Sequence, residues 1–297
     1  MNFRLRMKSG LRVLRSDAGP RGACRRATLV GFVLSILCSP AGAHDFWIEP
    51  STFTPQVDEH VKIGLRVGEQ FIGEPVARNP NKIAMTDGFV LRGPNTAKIV
   101  LGRDGEDPAG FVSLDRPGMF MVGYRSTRSS IELEAEKFEE YLKSEGLEAI
   151  SRMRAERGES SLPGKEVYSR SAKVVLNAGS RLAMAMEPRF NYTFEIVPER
   201  NPSTLRIGID EFGVLLLYEG KPAPHIVAFA MNKADAKSPI QAVSDSQGRV
   251  SFKLPRAGVW MIKAIHMARA PKDAGADWES IWGTLTFEIP EQTKREP

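Results

Sequence analysis

Alternating apolar and polar residues are the main pattern along the first part of this chain. Residues 61–67 alternate with a period of two, which is typical of a strand with one buried and one solvated face. Further short apolar runs follow, separated by turn signals such as Asp104-Gly105. Residues 111–114 and 119–124 flank the turn Asp115-Arg116-Pro117-Gly118 and are predicted to form a β-hairpin. Closely spaced short strands of this kind predict an antiparallel sandwich.

The period changes between residues 131 and 157, a proline-free stretch rich in Glu, Lys, Leu, Ala and Arg. Phe138, Tyr141 and Leu142 stand at i, i+3 and i+4, the spacing of one face of a helix. Gly146 interrupts the pattern, so we expect two short amphipathic helices. Strand-like residues return directly afterwards, and the helices are therefore predicted to be an insertion in a β unit.

A second set of strand-like runs extends from residue 204 to residue 289, after a proline-containing linker at 198–202. Its turns Gly220-Lys221-Pro222 and Asp245–Arg249 resemble those of the transthyretin-like or carboxypeptidase-regulatory-like β-sandwich. The sequence thus predicts a mainly β protein with two β-sandwich units. An Ig-like unit would cover residues 44–197, with the helical insertion at 131–157, and a transthyretin-like unit residues 203–290.

The first 43 residues have the pattern of an export signal. Arginines precede an apolar run from Ala27 to Cys38, and Ala41-Gly42-Ala43 is an Ala-x-Ala cleavage pattern. The run is shorter than the roughly 20 residues that a membrane-spanning helix needs. We therefore expect cleavage between Ala43 and His44, a periplasmic location, and no membrane span after the signal is removed.

Removal of the signal changes the charge and the thiol content of the protein. Residues 1–43 hold 8 of the 41 basic residues and 1 of the 36 acidic residues, which leaves 33 basic and 35 acidic residues and a formal net charge of −2. A nucleic-acid partner is not indicated at this charge. Both cysteines, Cys24 and Cys38, also lie in the signal, so disulfides, thiolate ligands and a cysteine nucleophile are excluded from the mature chain.

The predicted cleavage makes His44 the first residue of the mature chain. Its α-amine and its ring Nδ1 can then close a chelate on a divalent transition metal. The chelate by itself does not distinguish nickel, cobalt and copper.

The chain has three other histidines, and none has the short spacing of a metal motif. His60 and His225 stand in a polar turn and at a strand entry, where exposure is expected. His266 ends a core strand and is the preferred second ligand, although a buried structural role is also consistent with its position. Residues 277–282 are predicted to be a loop that forms a lid or site wall, with Asp277 as a third candidate ligand.

Three segments together give the mature chain a family resemblance. They are residues 44–50 directly after the signal, residues 168–173, and residues 258–287. With these segments, the chain resembles a family of periplasmic proteins of unknown function described as nickel-uptake substrate-specific components (NikK-like). The resemblance implies an exported β protein that helps to deliver nickel or cobalt to a membrane uptake transporter. It also implies that His44 and His266 are the family's histidines, with Asp277 nearby.

Two other functional classes stay open from the sequence. One is a non-catalytic periplasmic interaction or adhesion module without a metal. The other is a copper enzyme in which an N-terminal histidine and a second histidine bind the metal and activate oxygen. Against enzymes of other kinds, the chain has no nucleophile elbow, no phosphate-binding loop and no dinucleotide fingerprint.

Overall fold

The structure is a computed structural model that describes residues 44–84, 88–179 and 188–291. The predicted signal peptide and its cleavage site after Ala43 lie outside these residues. The described residues all belong to one compact unit.

Strands make up most of the described chain, with two α-helices and two single 3₁₀ turns (Pro80–Lys82 and Pro202–Thr204). In chain order, the strands and helices are β1 (Asp45–Pro50), β2 (His60–Glu69), β3 (Ile72–Val76), β4 (Phe89–Gly93), β5 (Thr96–Ile99), β6 (Gly110–Ser113), β7 (Gly118–Arg125), β8 (Ser129–Leu133), α1 (Ala135–Ser144), α2 (Glu148–Glu156), β9 (Gly164–Ala178), β10 (Phe194–Pro198), β11 (Glu211–Tyr218), β12 (Lys221–Pro222), β13 (Val227–Asn232), β14 (Asp235–Val243), β15 (Arg249–Lys253), β16 (Gly258–Arg269) and β17 (Trp278–Ile289).

These strands form three sheets. The large sheet has the order β14-β13-β16-β17-β9-β7-β4-β5, with β8 also paired to β9. Its strands pair antiparallel except β9 and β17, which are parallel. The front sheet consists of β1, β2, β3 and β6, and the rear sheet of β10, β11, β12 and β15.

The large sheet lies between the two smaller ones, because both of its faces are apolar. Along β16, Trp260, Ile262 and Ala264 join the core shared with the rear sheet. The intervening Met261 and Ile265 face the other way, toward Trp47 of β1 and toward the helices, respectively. A strand buried on both faces has a nearly continuous apolar sequence, which is the pattern that residues 259–267 show.

The helix pair forms as the spacing predicts. Phe138, Tyr141 and Leu142 of α1 are buried and pack with Ile265 and other residues of the large sheet. Gly146, with φ at 71°, separates the two helices. A Cβ there would stand 2.7 Å from Val227, so both the backbone angle and the space favour glycine.

Two local predictions are wrong. Residues 110–113 and 118–125 do not form a hairpin, because β6 pairs with β2 in the front sheet while β7 lies between β4 and β9 in the large sheet. Residues 278–282 are not a loop, because they are the first part of β17 and pair with β16 along their length. Trp278 and Trp282 are buried under the helices and form no lid.

The predicted mainly β, sandwich-like architecture with a short helical insertion is confirmed. The division into domains 44–197 and 203–290 stays a prediction, as does the transthyretin-like assignment. In the structure, the large sheet takes strands from both sides of the segment between the two predicted domains.

Candidate functional site

His44 stands directly before β1, at the edge of the front sheet. The register of β1 and β2 pairs Asp45 with Gly68, so the residue opposite His44 is Glu69. His44 Nε2 lies 3.9 Å from Glu69 Oε1, and both side chains are partly exposed.

The turn that follows Glu69 is held in an unusual conformation. Gln70 and Phe71 have φ values of 51° and 59°, a left-handed region that bulky residues rarely occupy. Phe71 is nevertheless buried, and its ring meets Trp47 edge-on at 5.3 Å between centroids. This packing holds the β2–β3 hairpin in place and with it the carboxylate of Glu69.

A buried cluster of three charges lies beside His44. Lys263 of β16 places its Nζ 2.8 Å from Asp45 Oδ1 and 2.8 Å from Glu145 Oε2. Asp45 is 4% exposed and Glu145 is 9% exposed. Two carboxylates therefore share one ammonium in a nearly dry environment.

Burial is the largest influence on the pKa values of these groups. Burial raises the pKa of Asp45 more than the nearby Lys263 lowers it. The pKa of Glu145 is raised by burial and, less strongly, by the charge of Asp45. Burial would lower the pKa of Lys263, but the two carboxylates together raise it.

The position of Glu145 at the end of α1 adds to the surplus of negative charge in this cluster. It is the residue that follows the last helical position, and the α-helix dipole places partial negative charge at that end. A carboxylate is favoured at the opposite end of a helix, so Lys263 stabilises Glu145 against both burial and the dipole.

His266 lies on the opposite face of the large sheet. Its ring stacks on Tyr218 of β11, with 3.7 Å between centroids and an interplanar angle of 10°, and it also contacts Phe194. Burial lowers its pKa, an effect that the charges of Glu219 and Glu279 partly oppose. The structure therefore does not bring His266 together with His44, because one packs on the rear sheet and the other belongs to the front sheet.

Asp277 is exposed and precedes β17. Its backbone nitrogen donates to Lys165 O, and its backbone oxygen accepts from Ala270 N. The antiparallel register therefore places Asp277 opposite Ala270. Ala270 is four residues beyond His266, which corresponds to about 13 Å along the strand. The three predicted ligands do not converge, and within the described ranges there is no group of three or more His, Cys, Asp or Glu residues with metal-binding geometry.

The remaining histidines agree with their predicted surroundings, since His60 and His225 are both exposed. What the sequence reasoning missed is the trio Glu69, Glu145 and Lys263. Lys263 carried a usable signal, because it is a single lysine in the apolar run of β16 and a buried lysine needs a charged partner. No spacing could identify Glu145 and Asp45 as the partners of Lys263, because they lie 118 and 218 residues away from it in the sequence.

A cleft of about 620 Å³ opens near the other end of β1. Two of its three acids already pair with cations: Arg66 Nε is 2.9 Å from Glu49 Oε2, and Arg66 Nη1 is 2.9 Å from Asp107 Oδ1. Lys233 also pairs with Glu49. The cleft therefore offers fewer free donors for a metal than the surroundings of His44.

In the part of the chain that the structure describes, no helix is long and apolar enough to cross a membrane. No curated protein matches the sequence significantly.

Among solved structures, the chain is similar to the D0-D1 domain of Intimin at 11% identity, over 82% of this chain and 97% of that one. The TM-score of 0.19 is too low for this likeness to support an inference. The family model described as a domain of unknown function, DUF4198, matches residues 41–268, a range that includes both His44 and His266, and the chain therefore belongs to that family.

Proposed function

We propose that this protein is an exported metal-binding accessory protein that holds a divalent transition metal at its processed N-terminus. Nickel or cobalt is the favoured cargo and copper the alternative. The acceptor would be a membrane metal-uptake transporter, and the location the periplasm. Signal cleavage before His44 is part of the proposal, because only cleavage creates the α-amine ligand.

The observation that carries the proposal is the buried surplus of negative charge next to His44. Asp45 and Glu145 share Lys263, and Glu69 adds a third carboxylate at the same edge of the front sheet. Arg170 is a further cation in this region, but it makes no ion pair with these acids among the described residues. A bound divalent cation would balance the surplus where the chain supplies two nitrogen ligands.

The orientation of the His44 ring is consistent with this ligand set. A chelate through the α-amine and Nδ1 leaves the Nε2–H group free, and Nε2 is the atom that faces Glu69. Metal-binding histidines usually donate their second ring N–H to a carboxylate or carbonyl, which fixes the tautomer and strengthens the ligand. We therefore assign Glu69 this supporting role. His266 and Asp277 would lie outside the primary site.

The test compares the mature protein that begins at His44 with the same protein carrying one alanine before His44. Both are titrated with nickel, cobalt and copper by calorimetry. The extended protein loses the α-amine ligand and should bind at least about 100-fold more weakly, since loss of a ligand outweighs loss of its outer hydrogen-bond partner. His44→Ala should have the same effect.

Matched variants separate the roles of the neighbours. Glu69→Gln should weaken binding by about tenfold, the range for an outer hydrogen-bond partner. Glu74→Gln, an exposed acid on β3, should leave affinity unchanged, and so should His225→Ala and His266→Ala. Equal affinity of the His44-start and extended proteins would overturn the N-terminal site. If neither protein binds a metal, the interaction-module alternative is favoured instead.

A further inference from the structure

Arg170 of β9 is a half-buried cation without an acidic partner among the described residues. Its guanidinium lies over the rings of Phe46 and Tyr168, with its central carbon 5.1 Å and 5.3 Å from the two centroids. Nε is fully buried and has no hydrogen-bond acceptor, and no hydrogen bond or ion pair joins the guanidinium to any residue of the described ranges. The side chain as a whole is half-buried, so solvent reaches part of it.

The same fold gives Arg154, which is fully buried, one acid and two backbone oxygens as partners. Arg154 donates from Nε to Glu139 Oε1 at 2.6 Å, and from Nη2 to the backbone oxygens of Glu159 and Leu162. A guanidinium carries five N–H donors and stays charged in proteins. Arg170 therefore lacks the acidic and carbonyl partners that Arg154 has.

The position of Arg170 connects it to the mature N-terminus. Phe46, over which the guanidinium lies, is two residues after His44 in the sequence. Asp45 is close enough to raise the pKa of Arg170 slightly against the lowering effect of burial. Its Oδ1, however, already holds Lys263.

We propose that Arg170 binds the carboxylate of a small organic chelator that arrives together with the metal, so that the cargo is a metal–carboxylate complex. A guanidinium fork matches a carboxylate in two parallel hydrogen bonds, and the two rings fix its orientation in advance. A metal held by the two nitrogens of His44 keeps open positions that carboxylate oxygens can fill. This inference rests on the proposed function and names the chemical class of its substrate.

The experiment uses equilibrium dialysis of the mature protein with nickel alone, radiolabelled citrate alone, and both together. In wild type, nickel should raise citrate retention about tenfold or more, the range for a charge-assisted hydrogen-bonded pair. Arg170→Met, which fills the space between the two rings without a charge, should abolish this gain and leave nickel binding intact. Arg170→Lys should keep part of it. Arg128→Met is the control, because Arg128 is an exposed arginine paired with Glu279.

The outcomes separate this inference from the proposed function. Failure to bind nickel alone contradicts the proposed function, whereas citrate retention that depends on Arg170 without nickel still supports a carboxylate site. If wild type binds nickel but retains no more citrate than Arg170→Met, the inference is wrong. A thermal melt of each variant identifies any that fails to fold, and if Arg170→Met does so, Arg170→Lys decides the question, because it keeps the charge but loses the two parallel hydrogen bonds.

Discussion

Two lysines of the large sheet are buried on opposite faces, and their surroundings differ. Lys173, on the rear face, places Nζ 2.8 Å from Glu195 Oε1, and both side chains are at most 2% exposed. Lys263, on the front face, is shared by Asp45 and Glu145. One cluster holds equal charges, and the other has one carboxylate more than it has ammonium groups.

Hydrogen bonds complete the first cluster. Lys173 also donates to Pro188 O, and Glu195 accepts from Phe190 N, so the pair fastens the chain around residues 188–190 to the sheet. The front cluster has no comparable set of additional hydrogen bonds. Glu145 Oε2 is buried, and its ion pair with Lys263 is the contact that it makes in the described chain. A closed pair is a structural device, whereas a cluster with surplus charge can accept a cation.

The largest expected effect comes from breaking the closed pair. Lys173→Met leaves the carboxylate of Glu195 buried and unpaired, and should lower the free energy of unfolding by about 3–5 kcal/mol. Urea unfolding followed by circular dichroism measures this. The control is Lys233→Met, since Lys233 is half-exposed where it pairs with Glu49 and such pairs contribute about 1 kcal/mol or less. A loss for Lys173→Met no greater than that of the control contradicts the structural role.

A fourth buried carboxylate, Glu166, has no lysine partner in the described part of the chain. It accepts hydrogen bonds from Tyr141 and Ser280, and burial raises its pKa from 4.5 to about 7. Between these two pH values the folded state holds a proton that the unfolded state has released, so stability falls as pH rises. The loss across this window should approach about 3 kcal/mol.

Glu166→Gln removes this dependence. At pH 4.5 the variant and the wild type should have similar stability, and at pH 8 the variant should be the more stable. Glu140→Gln, an exposed acid on α1, is the control and should follow wild type at both values. A stability difference between Glu166→Gln and wild type that does not change with pH contradicts the assignment.

The smallest effect distinguishes the two lysine clusters directly. Glu145→Gln leaves a balanced pair of Asp45 and Lys263 and removes a carboxylate from the end of α1, so the metal-free protein should gain about 1 kcal/mol at pH 7. Glu195→Gln should instead destabilise the protein, because it uncouples Lys173. Both are measured by urea unfolding with a chelator present. A loss of equal size in the two variants would mean that the front cluster has no surplus to relieve.

Local patterns were sufficient for much of the architecture. The apolar period of two gave the strands, and the i, i+3, i+4 spacing of Phe138, Tyr141 and Leu142 gave the helix that buries those residues. These features depend on neighbours within a few residues, which a sequence displays directly. The prediction that His44 begins the mature chain also rests on local evidence, the cleavage pattern that precedes it.

Local patterns could not predict which strands pair when the strands are far apart in the sequence. Residues 110–113 and 118–125 have the pattern of a hairpin, yet each finds its partners in a different sheet. Trp278 to Trp282 have the composition of a lid, but they extend a strand because β16 is long enough to pair with them. The sequence led us to assign His44 and His266 to one metal site. In the structure, the large sheet lies between them.

The chain's local chemistry thus specifies strands, helices and a histidine at the predicted start of the mature protein. Which charges meet is decided by the fold, since Asp45, Glu145 and Lys263 come together only when β1, the end of α1 and β16 pack on one another. The physical reason is that side-chain direction repeats over two to four residues, whereas electrostatic balance depends on distances across the folded core.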